Sequence, residues 1–208
     1  MGSLRDHELN HYIEKYDLKY YFETGTGVGD CLSYALKYPF EEYYTVDIDE
    51  DLVNKTYDSL KNANKNINFL IGKSTEILDE YLEKIPKESP ILFYLDAHFP
   101  GADFHKCTYE ESIREHKTDA FPLEEEINII LSKRDCSKDV FIIDDLVLYE
   151  KGDYTWVLAG NNYEYEWLQK ELEIETDSKF LYKSFEKTHN FEKDLRHQGY
   201  LIITPKEQ

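Results

Sequence analysis

Five short segments gather the residues able to do chemistry: Glu23-Thr24-Gly25-Thr26-Gly27, Asp47, Gly72-Lys73-Ser74, Asp96-Ala97-His98 and Asp144-Asp145. Gly25, Gly27 and Gly29 alternate in one turn, where backbone without a Cβ can approach a ligand closely. The carboxylates offer acceptor oxygens only. His98, with an ordinary pKa of about 6.5, is suited to taking a hydroxyl proton at neutral pH. A structural histidine, or one that partners a carboxylate, is the other reading of the same residue.

The elements that must carry these segments alternate along the chain. Strand-like runs fall at 19–23, 43–47, 67–71, 91–96, 140–144, 180–182 and 200–203. Helical spacing falls at Asp30–Tyr38, 50–64, from Ser74 through Leu82, Phe121–Leu131 and Tyr165–Leu172. Ser74 is a candidate cap for its helix. Repeated strand–helix alternation predicts an α/β fold with a parallel sheet and a single domain over 1–208. In such sheets ligands bind beyond the carboxyl ends of the strands. The five segments stand just there, and carboxylates close four of the first five strands although Asp and Glu are depleted in strands. Residues 97–120 and 145–161 are too long for ordinary connections and are expected to wall or cover a site. Trp156, Tyr149 and Tyr154 in the second could line it or simply pack. The acidic first turn at Glu124 and Glu125 answers the helix dipole, though either could face the site.

Composition weighs against several partners. The 208 residues hold 24 Lys and Arg against 43 Asp and Glu, a net charge of -19. That balance weighs against nucleic acid, whose binding draws on Lys and Arg, and against anionic lipid. No apolar run is long enough to span a bilayer. The polar start lacks the core of a signal peptide, and Cys31, Cys107 and Cys136 form no CxxC, so a reducing cytoplasm is expected.

Glu23-Thr24-Gly25-Thr26-Gly27-Val28-Gly29 resembles the first motif of the class I S-adenosylmethionine (SAM) methyltransferases, an acidic residue followed by GxGxG. Tyr44-Thr45-Val46-Asp47-Ile48-Asp49 resembles the second, and the likeness runs in order over residues 19–145. It implies a Rossmann-like sheet of about seven mostly parallel strands with helices on both faces. It implies SAM bound with its methionine part against Glu23 to Gly27 and near Asp96, its ribose hydroxyls on Asp47 beside Ile48, and its adenine near Ser74. The turn departs from the dinucleotide fingerprint GxGxxG, since Asp30 stands at the last position, and it is no P-loop. Those departures weigh against the competing reading of a nucleotide-dependent oxidoreductase.

The carboxylate ends resemble those of the metal-dependent O-methyltransferases, such as catechol O-methyltransferase and the cephalosporin-hydroxylase-like branch. That resemblance implies Asp96, Asp144 and Asp145 around Mg²⁺ or another hard divalent cation, which would relieve their mutual repulsion. The catechol enzymes place a lysine three residues beyond the first metal ligand. Phe99 stands there, so His98 becomes the candidate base, with Asp96 beside it. The implied activity is SAM-dependent O-methylation of a small polar acceptor, such as a sugar or sugar-phosphate derivative. A non-catalytic SAM-fold binding module is the alternative. The sequence leaves the acceptor, the metal and the oligomeric state open.

Overall fold

A computed structural model describes residues 3–160 and 178–207. The sheet is built from β1 (Tyr20–Thr24), β2 (Glu42–Asp47), β3 (Ile67–Ile71), β4 (Ile91–Leu95), β5 (Val140–Ile143), β6 (His189–Asp194) and β7 (Tyr200–Pro205). Their order is β3-β2-β1-β4-β5-β7-β6. All neighbours pair parallel except β7, which runs antiparallel to both β5 and β6. Among the described residues, the helices are α1 (Leu9–Tyr16), α2 (Asp30–Ala35), α3 (Glu50–Leu60), α4 (Ser74–Tyr81), α5 (Tyr109–His116), α6 (Leu123–Lys133), α7 (Thr155–Leu158) and α8 (Lys179–Phe185). Among the described residues, no helix is long and apolar enough to cross a membrane.

Side chains of a strand alternate between faces, and the sheet uses both. Tyr44, Phe22, Phe93 and Phe141 stand in register across β2, β1, β4 and β5. Their rings form a continuous aromatic row, with Phe93 and Phe141 stacked at 4.9 Å. Against this face pack Leu78 of α4, Ile127 and Ile130 of α6, and Leu181 and Phe185 of α8. The other face presents Tyr43, Tyr21, Leu92 and Val140, covered by α1 and α2 through Leu9, Ile13, Leu32 and Ala35. The amino-terminal helix therefore closes a sheet face and does not cover the carboxyl edge.

Two of the expected elements differ. Residues 180–182 are not a strand; they lie in α8, where Leu181 and Phe185, four apart, share one buried face. The sixth strand is His189–Asp194, an edge strand whose side chains are mostly exposed or half-exposed. The helix expected at Tyr165–Leu172 lies outside the described residues. Ser74 is the first residue of α4 and buried, with Lys73 at the capping position. The long segment 97–120 is not wholly loop: it holds α5, started by a capping box between Thr108 and Glu111, and a 3-10 turn at Lys117–Ala120.

Strand order reverses between β1 and β4, since the chain lays down β2 and β3 on one side of β1 and then crosses to the other. That reversal opens a crevice at their carboxyl ends.

Candidate functional site

A cavity of about 480 Å³ occupies this crevice. The glycine turn forms one side of it. Gly25 N and Thr26 N both donate to Val46 O, at 2.9 and 3.1 Å. Gly25, at φ +85, lies so close to β4 that a Cβ would stand 2.5 Å from Asp96 O. Gly27 N donates to Asp47 Oδ2 at 2.9 Å, and Asp49 N donates to Asp47 Oδ1 at 2.9 Å. Asp47 thus clamps the turn while keeping lone pairs on the cavity, which it lines with Gly25, Gly27, Ile48 and Ser74. Burial lifts its carboxyl above the ordinary range, and the two backbone donors offset part of that rise.

Asp96, His98, Asp144 and Asp145 form the other end of the cavity. His98, only 11% exposed, sits among carboxylates. Its Nε2 lies 2.9 Å from Asp145 Oδ2 and 3.6 Å from Asp103 Oδ2, and its Nδ1 lies 3.4 Å from Asp96 Oδ1. Burial lowers the imidazole pKa, but Asp145, Asp96 and Asp103 outweigh it and hold the ring well above its ordinary 6.5. Burial and the Asp144 charge push Asp96 far above the carboxylate range. Burial and the Asp145 charge push Asp144 to about 7. Asp145 itself adopts φ +50 and Phe99 φ +40, left-handed conformations that cost a non-glycine residue free energy and here flank the cluster.

The three carboxylates share this end of the cavity but have different partners. Asp144 Oδ2 accepts from the buried Tyr94 hydroxyl at 2.5 Å, and its Oδ1 accepts from Asp145 N at 2.7 Å. Asp144 continues the alternation of Val140 and Ile142, so its carboxyl turns toward the face of Tyr94. Among the described residues, Asp96, His98 and Asp145 each have a donor atom within 4.8 Å of the others'. Two carboxylate oxygens and an imidazole nitrogen are a chemically sound donor set for a divalent cation.

Three residues expected at the cofactor lie beneath the turn and do not line the cavity. Glu23 is fully buried on the α1–α2 face, accepting from Tyr21 OH at 2.5 Å and Thr45 Oγ1 at 2.6 Å. Burial raises its carboxyl to about 7. Thr26 Oγ1 lies 2.7 Å from Thr45 Oγ1, which extends this network to the turn. Thr24 is buried at the end of β1, where its carbonyl accepts from Asp96 N at 3.1 Å.

Sequence reasoning missed Asp103, Phe104 and Lys106, which the 97–120 segment brings over the crevice. The Phe104 ring stands 3.0 Å from where a Gly27 Cβ would be. Lys106 pairs with Asp49, and Tyr109 OH donates to Asp103 Oδ1 at 2.8 Å. Lys73 pairs with Asp119 at 2.9 Å, tying the far end of the segment to α4. No motif marks these residues; only the length of the connection does. Across the cavity, Val147, Leu148 and Trp156 of the second long segment supply apolar wall.

Glu126 was also missed. Neither Glu124 nor Glu125 is buried; Glu126 is, at 1% exposure, with Oε1 lacking a hydrogen-bond partner. Leu123, Glu126, Ile127 and Ile130 have the spacing of one helix face, a signal present in the sequence. Burial raises its carboxyl from 4.5 to about 7, offset in part by the Ser74 and Thr24 hydroxyls. The folded chain therefore holds a proton that the unfolded chain has lost between those values, and stability falls as pH rises through that window. Glu126→Gln is expected to stabilise the fold by ~1–3 kcal/mol near pH 8 and by little near pH 4. Melting curves at both pH values check this; an equal shift at both would show that ionisation is not the cause.

No protein-family model and no curated protein matches the chain. Solved structures do match. A Staphylococcus aureus protein described as a caffeoyl-CoA O-methyltransferase superposes with a TM-score of 0.58 at 13% identity, over 95% of this chain and 81% of that one. The S-adenosylhomocysteine (SAH)-bound methyltransferase PaMTH1 of Podospora anserina gives 0.52 at 13% identity, over 95% and 76%. An O-methyltransferase of Bacillus cereus in complex with SAH gives 0.52 at 9% identity, over 95% and 79%. At such identities the likeness is one of fold, and it agrees with the strand order: the chain has the Rossmann-like fold of the class I methyltransferases.

Proposed function

We propose that the chain is a SAM-dependent O-methyltransferase acting on a small polar acceptor. One observation carries the reading: the Gly25–Gly27 turn with Asp47, and the Asp96–His98–Asp145 cluster, open onto the same cavity. A cofactor held at the first would have its reacting end near the second. The acceptor oxygen attacks the methyl carbon in line; the C–O bond forms, the C–S bond breaks, and the electron pair returns to sulfur, leaving SAH. The acceptor hydroxyl gives up one proton. Positioning and charge stabilisation are the protein's share of this chemistry.

Asp96 and His98 are the proposed catalytic residues. Both ring nitrogens of His98 face carboxylates, so the ring serves first to orient Asp96 and Asp145 and to balance their charge, not as a free base. Asp103 Oδ2, 3.6 Å from His98 Nε2, is placed to receive the hydroxyl proton. A divalent cation held by Asp96, His98 and Asp145 would lower the hydroxyl pKa and make its anion accessible. Among the described residues, Lys73 is the one Lys or Arg lining the cavity, and its pairing with Asp119 favours an uncharged acceptor such as a polyol over a phosphorylated one. Trp156 offers such an acceptor an aromatic wall.

Calorimetric titration with SAH tests the cofactor half. Asp47→Ala is expected to lose ~1–3 kcal/mol of binding, the scale of charge-assisted hydrogen bonds. Unchanged affinity would place the ribose elsewhere.

A further inference from the structure

Glu126 lies beneath the crevice, outside the cluster at its reacting end. We propose that it is a positioning residue for the cofactor: by taking the Ser74 hydroxyl proton, it turns the Ser74 oxygen into an acceptor on the cavity, suited to the exocyclic amino group of an adenine. The inference deepens the methyl-transfer reading and rests on it for the place of the adenine beside Ser74.

Three elements meet at this carboxyl. Glu126 belongs to α6, Ser74 opens α4, and Thr24 ends β1. The Ser74 and Thr24 hydroxyls both stand within hydrogen-bonding reach of Glu126, which is 1% exposed. Each leads to a different side of the crevice. Thr24 precedes Gly25, and its carbonyl accepts from Asp96 N at 3.1 Å. Ser74 follows the Gly72 turn, where Gly72 N donates to Asp47 O at 3.0 Å, and it lines the cavity. Glu126 therefore ties the crevice together from below, with β1 and β4 on one side and the end of β2 and the start of α4 on the other. His98 from the end of β4 and Tyr149 from the segment after β5 also face it.

The residue type is informative. Leu123, Ile127 and Ile130 share the buried face of α6, and an apolar side chain at 126 would complete it without burying a polar group. A carboxyl there, with Oε1 lacking a partner, costs free energy. Packing rules are broken in this way chiefly where a site needs it. A serine hydroxyl has one proton and two lone-pair sites, so on its own it can donate or accept. With the proton committed to a buried carboxyl, only its lone pairs remain for the cavity. A 6-amino purine donates to them, whereas a 6-oxo purine presents an acceptor in the same place. Such recognition discriminates because the wrong ligand leaves buried polar groups unpaired.

The test uses the full chain at one pH, with calorimetry against SAH and against S-inosylhomocysteine, its 6-oxo counterpart, and chemical denaturation of each variant. The parent chain is expected to prefer SAH by about tenfold or more, the scale of a hydrogen bond lost in a buried site. Glu126→Leu is expected to be at least as stable as the parent yet to lose most of that preference, since Ser74 regains a proton to offer. Glu126→Gln, whose carbonyl still accepts from Ser74, is expected to keep it. Ser74→Ala is expected to lose the preference with Glu126 in place, and adding Glu126→Leu is expected to change it no further. A purely structural Glu126 would move stability and leave the ratio of the two affinities alone. Full preference in Glu126→Leu or in Ser74→Ala, or its loss in Glu126→Gln, would overturn the proposal. A folded parent chain that binds neither ligand would overturn the methyltransferase reading and this role with it. A parent chain that binds both equally would overturn this role alone.

Discussion

Asp145→Gly is expected to lower the methyl-transfer rate ~10²–10³-fold while leaving SAH affinity within about threefold, because it removes charge stabilisation at the reacting centre and not at the cofactor. Glycine is the informative replacement. Asp145 adopts φ +50, which glycine accepts without strain, so the variant deletes a carboxylate and imposes no backbone penalty. The carboxylate is the closest partner of His98, at 2.9 Å. Its loss frees the ring to rotate and opens the donor set. Asp47, with the glycine turn, lies at the other end of the cavity and keeps its bonds to Gly27 N and Asp49 N. The split between rate and cofactor affinity is the diagnostic. Equal loss of both would mean that Asp145 supports the fold of the crevice, and full activity would remove it from the mechanism.

Gly25→Ala is expected to destabilise the fold by ~2–5 kcal/mol and to weaken SAH at least tenfold. Two costs combine. A left-handed conformation costs an L-residue ~1–2 kcal/mol, and forcing a methyl group into packed surroundings costs ~1–3 kcal/mol. The obstruction is backbone: Asp96 O at 2.5 Å and Asp96 C at 2.9 Å from the added Cβ. Relief requires β1 and β4 to separate at the crevice, the place where the cofactor must fit. Gly27→Ala is the control. Its φ of +50 carries a similar conformational cost, but the added Cβ meets only the Phe104 ring, which can swing aside. A smaller loss is therefore expected there, and chemical denaturation of the two variants compares them. Matching stability for Gly25→Ala and the parent chain would contradict the close approach of the two strands.

The five parallel strands were legible because each is a run of apolar or aromatic residues closed by a carboxylate or glycine. Val140–Ile143 and Ile91–Leu95 are buried on both faces and read as unbroken apolar stretches. The edge strand His189–Asp194 lacked that signal, since an edge buries little and its residues are polar. Phe180-Leu181-Tyr182 misled in the opposite way. A three-residue apolar run does not distinguish strand from helix, and only Phe185, four beyond Leu181, gives the helical period.

At the site, sequence gave the neighbourhood and not the orientation. Glu23 reads as a cofactor ligand by motif, yet its parity with Tyr21 places it on a buried sheet face, where it braces the turn from below. Asp144 and Asp145 read as an equivalent pair. Alternation separates them, sending one carboxyl to Tyr94 and the other, through a left-handed backbone, to His98. His98 reads either as a base or as a carboxylate's partner, and the structure places carboxylates at both of its nitrogens. Parity along a strand was available in the sequence for the first two. The enclosure of His98 was not, because Asp103 reaches it from the long segment over the crevice, whose path no local pattern sets.

The central claim is that this crevice binds SAM with its methyl group over Asp96, His98 and Asp145. A crystal structure of the chain saturated with SAH tests it most directly. The expected result is ribose hydroxyls on the Asp47 carboxylate, adenine beside Ile48 and Ser74, and the sulfur facing the His98 cluster. SAH bound outside the cavity, or a cavity left empty at saturating ligand, would contradict it.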